Sequence, residues 1–231
     1  MAASNPDMHG PVRVGVIESV TLSWLPRFLQ QIRVKAPDAV LEIATGTTTQ
    51  LVHDLREGKM EIVFVAGPVN EPKVENRQIC SMDVCWLASP KHFDCSRCID
   101  VLELSRLPVM MHGSNSSGYG QVRDYFAQYG IDEIASLGGN IRLDCVCSVS
   151  TAIQLVRTGL GVLALPLCLL EKELRDESVS VLPVRQQLSP FQITACFRQP
   201  VMSSMIHTLI SIASEAAHEF AKGCDRTHFW I

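Results

Sequence analysis

Apolar and polar positions along the chain switch repeatedly between two rhythms. Short β-branched runs alternate with stretches whose apolar residues recur three and four apart, the pattern of strands alternating with amphipathic helices. Residues 13–18 (RVGVIE) read as a strand, and Leu25, Phe28, Leu29 and Ile32 mark the buried stripe of the helix that follows. Pro37-Asp38 ends that helix, and 40–44 (VLEIA) is the second strand. Thr47 with Gln50 three residues later predicts a capping box, opening a helix buried through Leu51, Val52 and Leu55. Gly58 is its natural C′ stop, and 61–66 (EIVFVA) completes a β-α-β-α-β unit.

The rhythm then returns. Residues 107–111 form a strand, 114–117 lead into a helix carrying Val122, Tyr125, Phe126 and Tyr129, and 141–146 form another strand. A helix over 148–158 stops at Gly159, and 161–165 is a buried strand. A strand-like stretch at 78–90 joins the two β/α units, a late strand covers 191–197, and Pro200 starts a long helix. Ile206, Leu209, Ala213, Ala216 and Phe220 share one stripe of that helix. Strands separated by helices imply parallel pairing through right-handed crossovers. The expected fold is therefore α/β, with two Rossmann-like lobes and two crossover segments near 84–90 and 184–190. In residue terms, 1–11 is a leader or linker remnant and 12–86 with 191–222 is lobe I. Lobe II is 87–190, and 223–231 is a C-terminal tail.

Composition narrows the class. With 231 residues, 47% apolar and 19% charged, the chain has enough apolar surface for a sizeable core and is not disordered. Net charge is −4, and the Lys and Arg residues form no basic run, so nothing marks a nucleic-acid surface. The longest apolar stretch, 159–170, is about half a membrane span and contains Pro166, so no membrane partner is expected. Nine cysteines without a visible signal peptide point to a reducing compartment, and the cytoplasm is the expected address.

The candidate chemistry is binding. In open α/β sheets, ligands sit beyond the carboxyl ends of strands, at helix N-termini. Those positions carry Ser19 and Thr21 after the first strand and Thr47, Thr48 and Thr49 after the second. The second lobe places Ser114, Ser116 and Ser117, then Ser148, Ser150 and Thr151, at equivalent points. Unpaired first-turn N–H groups, the positive end of the helix dipole and short hydroxyl donors together suit a carboxylate or another small anion. Each hydroxyl alone is equally an ordinary N-cap.

Enzyme motifs are poorly represented. Gly159-Leu160-Gly161 resembles part of a dinucleotide fingerprint but lies between a helix and a strand, the reverse of the required context. No G-x-S-x-G elbow, Walker loop or H-E-x-x-H motif is present. Cys95-Ser96-Arg97-Cys98 is a single C-x-x-C, expected to be a solvated loop; zinc there would need Cys224 and His228 from far along the chain. Cys145 and Cys147 are expected to be small buried hydrophobes. No cofactor or metal is expected.

The segment RVGVIESVTLSWLPRFLQQIRVKAPDAVLEIATGTTTQLVHDLREGKMEIVFVAG resembles the first lobe of the effector-binding domain of LysR-type transcriptional regulators. SVSTAIQLVRTGLGVLALP is similar to the helix-strand segment of that family's second lobe. The resemblance covers about residues 12–222 and implies a type 2 periplasmic-binding-protein-like fold whose interlobe cleft holds a small effector. It implies ligand contacts from Ser19, Thr47 and Gly67, beside which Val20, Thr21 and Thr48 complete the expected site of this lobe. In the second lobe it implies His112, Gly113 and Ser114, with Ser148 and Val149 opening a further helix. It further implies a homodimer or homotetramer paired through the helices that start near Leu22 and Gln121. Family members begin with a winged helix-turn-helix, for which 1–11 are too few, so an excised regulatory domain that contacts DNA only through that missing part is expected. The competing readings are a solute-binding receptor of a transport system, which needs an export signal, and a cleft enzyme using Glu18 and His112.

Overall fold

A computed structural model describes residues 11–113, 116–131, 144–145, 148–199, 204–224 and 229–230. They fall into two compact units, Met1–Ser81 with Gln192–Ile231 and Met82–Phe191.

The first unit opens with β1 (Val12–Val16), a four-residue helix α1 (Glu18–Thr21) and α2 (Leu25–Lys35). Then come β2 (Leu41–Thr45), α3 (Thr48–Arg56), β3 (Ile62–Ala66) and β4 (Val74–Met82). The second unit holds β5 (Val84–Ala88), α4 (Val101–Ser105), β6 (Met111–His112), α5 (Ser117–Ala127) and β7 (Asp144–Cys145). It continues through α6 (Val149–Arg157), β8 (Leu163–Pro166), α7 (Glu171–Arg175) and β9 (Ser180–Val181). β10 (Phe191–Arg198) re-enters the first unit, followed by α8 (Ser204–Gly223) and β11 (Phe229–Trp230).

The first sheet has the order β11-β4-β10-β3-β1-β2. β1 pairs in parallel with β2 and β3, as β-α-β connections require, whereas β10 runs antiparallel to β3. The purely parallel expectation fails there because no helical crossover joins β3 to β10. β10 arrives from the other unit, so its direction is free of the crossover rule. The second unit departs further. β5, part of the expected connector, is the central strand of a three-stranded sheet and pairs antiparallel with β8 and β9. The strand expected at 107–111 shrinks to β6, which pairs in parallel with β7, plus a parallel bridge between Val109 and Val162.

Helix ends follow local chemistry closely. Thr47 Oγ1 accepts the Gln50 N–H at 3.2 Å, and Gly58 follows the C-cap of α3 with φ of 74°. Ser148 Oγ accepts the Thr151 N–H at 3.2 Å, and Gly159, at φ 77°, ends α6. Gly161 needs to be glycine for another reason: a Cβ there would sit 2.2 Å from the Pro108 carbonyl oxygen. The Gly-Leu-Gly run is thus a helix stop followed by a close strand approach, with no dinucleotide context.

Aromatic groups anchor each core. Trp24, Phe28 and Phe64 meet edge-to-face with centroids 5.3–6.1 Å apart in the first unit. In the second, Trp86 lies 5.7 Å from both Tyr125 and Phe126. At the amino end of the first sheet, Arg13 pairs with Glu61 and also donates to the Gly58 carbonyl at 2.9 Å. Burial opposes the Glu61 charge, but the Arg13 hydrogen bonds outweigh it and hold the carboxyl below its ordinary value.

Candidate functional site

The expected ligand residues of the first unit gather at the carboxyl ends of β1, β2 and β3. There the Ile17 N–H donates to the Phe64 carbonyl at 3.1 Å and Gly46 N–H donates to the Val16 carbonyl at 3.3 Å, holding the three strand ends together. The chain leaving β1 coils at once into α1, which places Ser19 and Val20 inside and leaves Thr21 half-buried. Ser19 is 8% exposed, and among the described residues its hydroxyl makes no hydrogen bond. Its carbonyl is occupied by the Ser23 hydroxyl at 2.6 Å. Thr21 donates its hydroxyl proton back to the Ile17 carbonyl at 3.4 Å, and the Val20 N–H donates to the same carbonyl at 3.0 Å. Of the three loop residues, Ser19 therefore keeps the most hydrogen-bonding capacity.

At α3 the capping geometry itself leaves donors over. Thr47 and Thr48 each use a lone pair on a backbone N–H, Thr47 on Gln50 and Thr48 on Ala66 at 3.3 Å. A hydroxyl accepting in this way keeps its own proton for an outside acceptor. At α6 Ser148 caps Thr151 in the same way, but its hydroxyl also lies 3.1 Å from Thr151 Oγ1, so one of the two hydroxyl protons is shared within the pair and the other is left for an outside acceptor. Val149 is half-buried in the first turn of that helix. Gly67 follows β3; its N–H donates to the Gln192 carbonyl at 3.2 Å and its peptide bond to Pro68 is cis.

The remaining expected residues are placed only in part. His112 ends β6 as backbone, Gly113 accepts the Ser116 N–H at 2.8 Å, and Ser114 lies outside the described residues. Ser116 is the N-cap of α5, its hydroxyl accepting the Tyr119 N–H at 3.2 Å. Four buried hydroxyl residues escaped the sequence reading, Ser23, Ser81, Ser89 and Thr194. Ser23 had a signal, since a serine four residues after Ser19 reaches back to its carbonyl on a helical turn. Thr194 sits inside an apolar strand run and offered none.

Cysteine chemistry is muted. Burial pushes the Cys80 and Cys196 thiols up to about 12, and Cys95 is raised by burial and the neighbouring Asp94 charge. Cys95 and Cys98 flank a turn held by Ser96 donating to Asp94 at 2.6 Å. Among the described residues no three His, Cys, Asp or Glu side chains cluster to hold a metal; His228, Cys147 and the Cys145 side chain lie outside that description. Among them, too, no helix is long and apolar enough to cross a membrane.

Comparison with known proteins agrees with this architecture. A hydrogen peroxide-inducible genes activator of Mycobacterium leprae, assigned as probable, is 28% identical over 167 residues, covering 71% of this chain and 51% of the relative. The chain thus spans about half the length of the curated relatives it matches, which are transcriptional regulators and not enzymes. Corynebacterium glutamicum OxyR bound to H2O2 superimposes with a TM-score of 0.78 at 21% identity, covering 92% of this chain and 66% of that one. The effector-binding domain of QuiR in complex with shikimate superimposes with a TM-score of 0.74 at 16% identity, over 92% and 99% of the two chains. At these identities the structures show a shared fold, that of LysR regulatory domains of the periplasmic-binding-protein-like type. Residues 6–217 match the LysR substrate binding domain, and the chain belongs to that family as an effector-binding domain of a LysR-type transcriptional regulator.

Proposed function

We propose that this domain senses a small metabolite carrying a carboxylate and reports its presence to an attached DNA-binding part. The observation that carries the reading is the recurrence of one device. At α3 and α6 a hydroxyl caps the helix start by accepting a backbone N–H through its lone pair, at the positive end of the helix dipole, while the Ser19 hydroxyl, on a residue 8% exposed, makes no hydrogen bond among the described residues. Such a set supplies donors and no strong base, which matches binding of an anion without chemistry on it. Among structures sharing the fold, one holds shikimate and another benzoate, both carboxylic acids. The expected site comprises Ser19, Val20 and Thr21, Thr47 and Thr48, Gly67, the loop at His112, Gly113 and Ser114, and Ser148 with Val149.

Sensing requires that the ligand favour one arrangement of the protein over another. A coupling of about 1–3 kcal/mol suffices to change how subunits of a dimer or tetramer present their DNA-binding parts. The solute-receptor reading is not favoured, because the relatives regulate transcription. A thermal-shift screen of organic acids tests the proposal through ligand-linked stabilisation. A hit should weaken in Ser19→Ala and Thr47→Ala by about 1 kcal/mol each, as a buried ligand oxygen loses its donor. Unchanged calorimetric titrations for both variants would remove these residues from the site.

A further inference from the structure

Thr194 is buried at 3% exposure in β10, yet among the described residues its hydroxyl makes no hydrogen bond. A hydroxyl without a protein partner keeps both its donor and its acceptor capacity, so what it faces matters. Thr194 pairs with Val65 across the antiparallel β10–β3 ladder, and directly opposed residues project to the same face. That face is the one covered by α3, because a Cβ on Gly15 would meet both Leu51 of α3 and Val63 of β3. Side chains two apart share a face, so positions 63, 65 and 67 all point there.

The third of these positions is Gly67. A Cβ on Gly67 would lie 2.6 Å from Thr194 Oγ1, so the hydroxyl occupies the space that any other residue would fill. One residue before, the Ala66 N–H is held by Thr48 Oγ1 at 3.3 Å, at the N-terminus of α3. Two threonine hydroxyls thus flank the carboxyl end of β3, one from the helix and one from the neighbouring strand. Thr48 has its lone pair engaged, whereas Thr194 is uncommitted.

We infer that Thr194 is a further ligand-binding residue of the first unit, its hydroxyl reaching past glycine 67 to an oxygen of the bound anion beside Thr48. This rests on the small-anion reading above and adds a contact from β10 that fixes where one ligand oxygen sits. Gly67 serves it by leaving room for the hydroxyl.

The test titrates sulfate and benzoate separately into the whole chain by calorimetry, using the unaltered protein, Thr194→Val, Thr194→Ser and Ser19→Ala. Valine keeps the shape and the strand preference while deleting the hydroxyl, and serine restores it; melting curves confirm that each variant folds. The expected result is saturable binding of at least one anion, weakened about fivefold or more in Thr194→Val and nearly unchanged in Thr194→Ser. Thr194→Val binding like the unaltered protein while Ser19→Ala is weakened overturns the role of Thr194 and leaves the site standing. Absence of saturable binding, or equal binding by all four proteins, overturns the small-anion reading and this inference with it.

Discussion

Replacing Thr48 by valine isolates a single link between α3 and the sheet. Its Oγ1 accepts the Ala66 N–H at 3.3 Å, and valine preserves the shape of the side chain while removing that acceptor. The separation lies at the long end of the N–H···O range, so the bond itself belongs near the low end of about 0.5–1.5 kcal/mol. Ala66 is half-buried, so its orphaned N–H regains only part of its hydration, which raises the expected loss to about 1 kcal/mol. Helix propensities of threonine and valine are similar, so no compensating gain arises at this first-turn position. Urea denaturation should show the midpoint falling by a few tenths molar with an unchanged slope. An unchanged midpoint would mean that the Thr48–Ala66 contact does not tie the helix to the strand, and the donor argument for this hydroxyl would fall with it.

Three other changes probe separate parts of the account. Gly161→Ala forces a methyl against the Pro108 carbonyl and should destabilise by about 1–3 kcal/mol in denaturant melts; a neutral result would show that the two segments do not approach as described. Phe28→Ala removes one of three interlocked rings from a fully buried site and should cost about 3–5 kcal/mol, read by the same assay. Glu61 titrates below its ordinary 4.5 in the folded chain, so its contribution is present above that value and fades as pH falls through the depressed one. Glu61→Gln should therefore be less stable at neutral pH, with the gap closing as pH falls below 4.5 and through the depressed value; a gap that is constant with pH would rule out the ion pair as its cause.

Much of the first unit, and α6 of the second, was legible because these elements announce themselves locally. Thr47 and Gly58 bracket α3 and Ser148 and Gly159 bracket α6, each through capping chemistry confined to a few residues. What escaped depended on distant partners. α1 is four residues long, too short for any periodicity to register. β5 reads as a connector because its place between β8 and β9 is set by residues some seventy-five to ninety-five positions later. The antiparallel course of β10 follows from where the chain re-enters the first unit, which no local pattern encodes. Ser19 and Thr48 stood out as hydroxyls at strand ends, but Thr194 became visible only when register placed it opposite Val65 and over Gly67.

The central claim is that hydroxyl and main-chain donors at these helix starts hold an organic anion without transforming it. An amide NMR titration with the acid that stabilises the chain most, with the ligand's own spectrum followed in the same tube, tests this directly. The account predicts saturable shifts concentrated at the amides of Ser19, Thr48, Gly67 and Val149, with the ligand signals conserved throughout. Shifts confined to other parts of the chain, or new signals from a converted ligand, would contradict it.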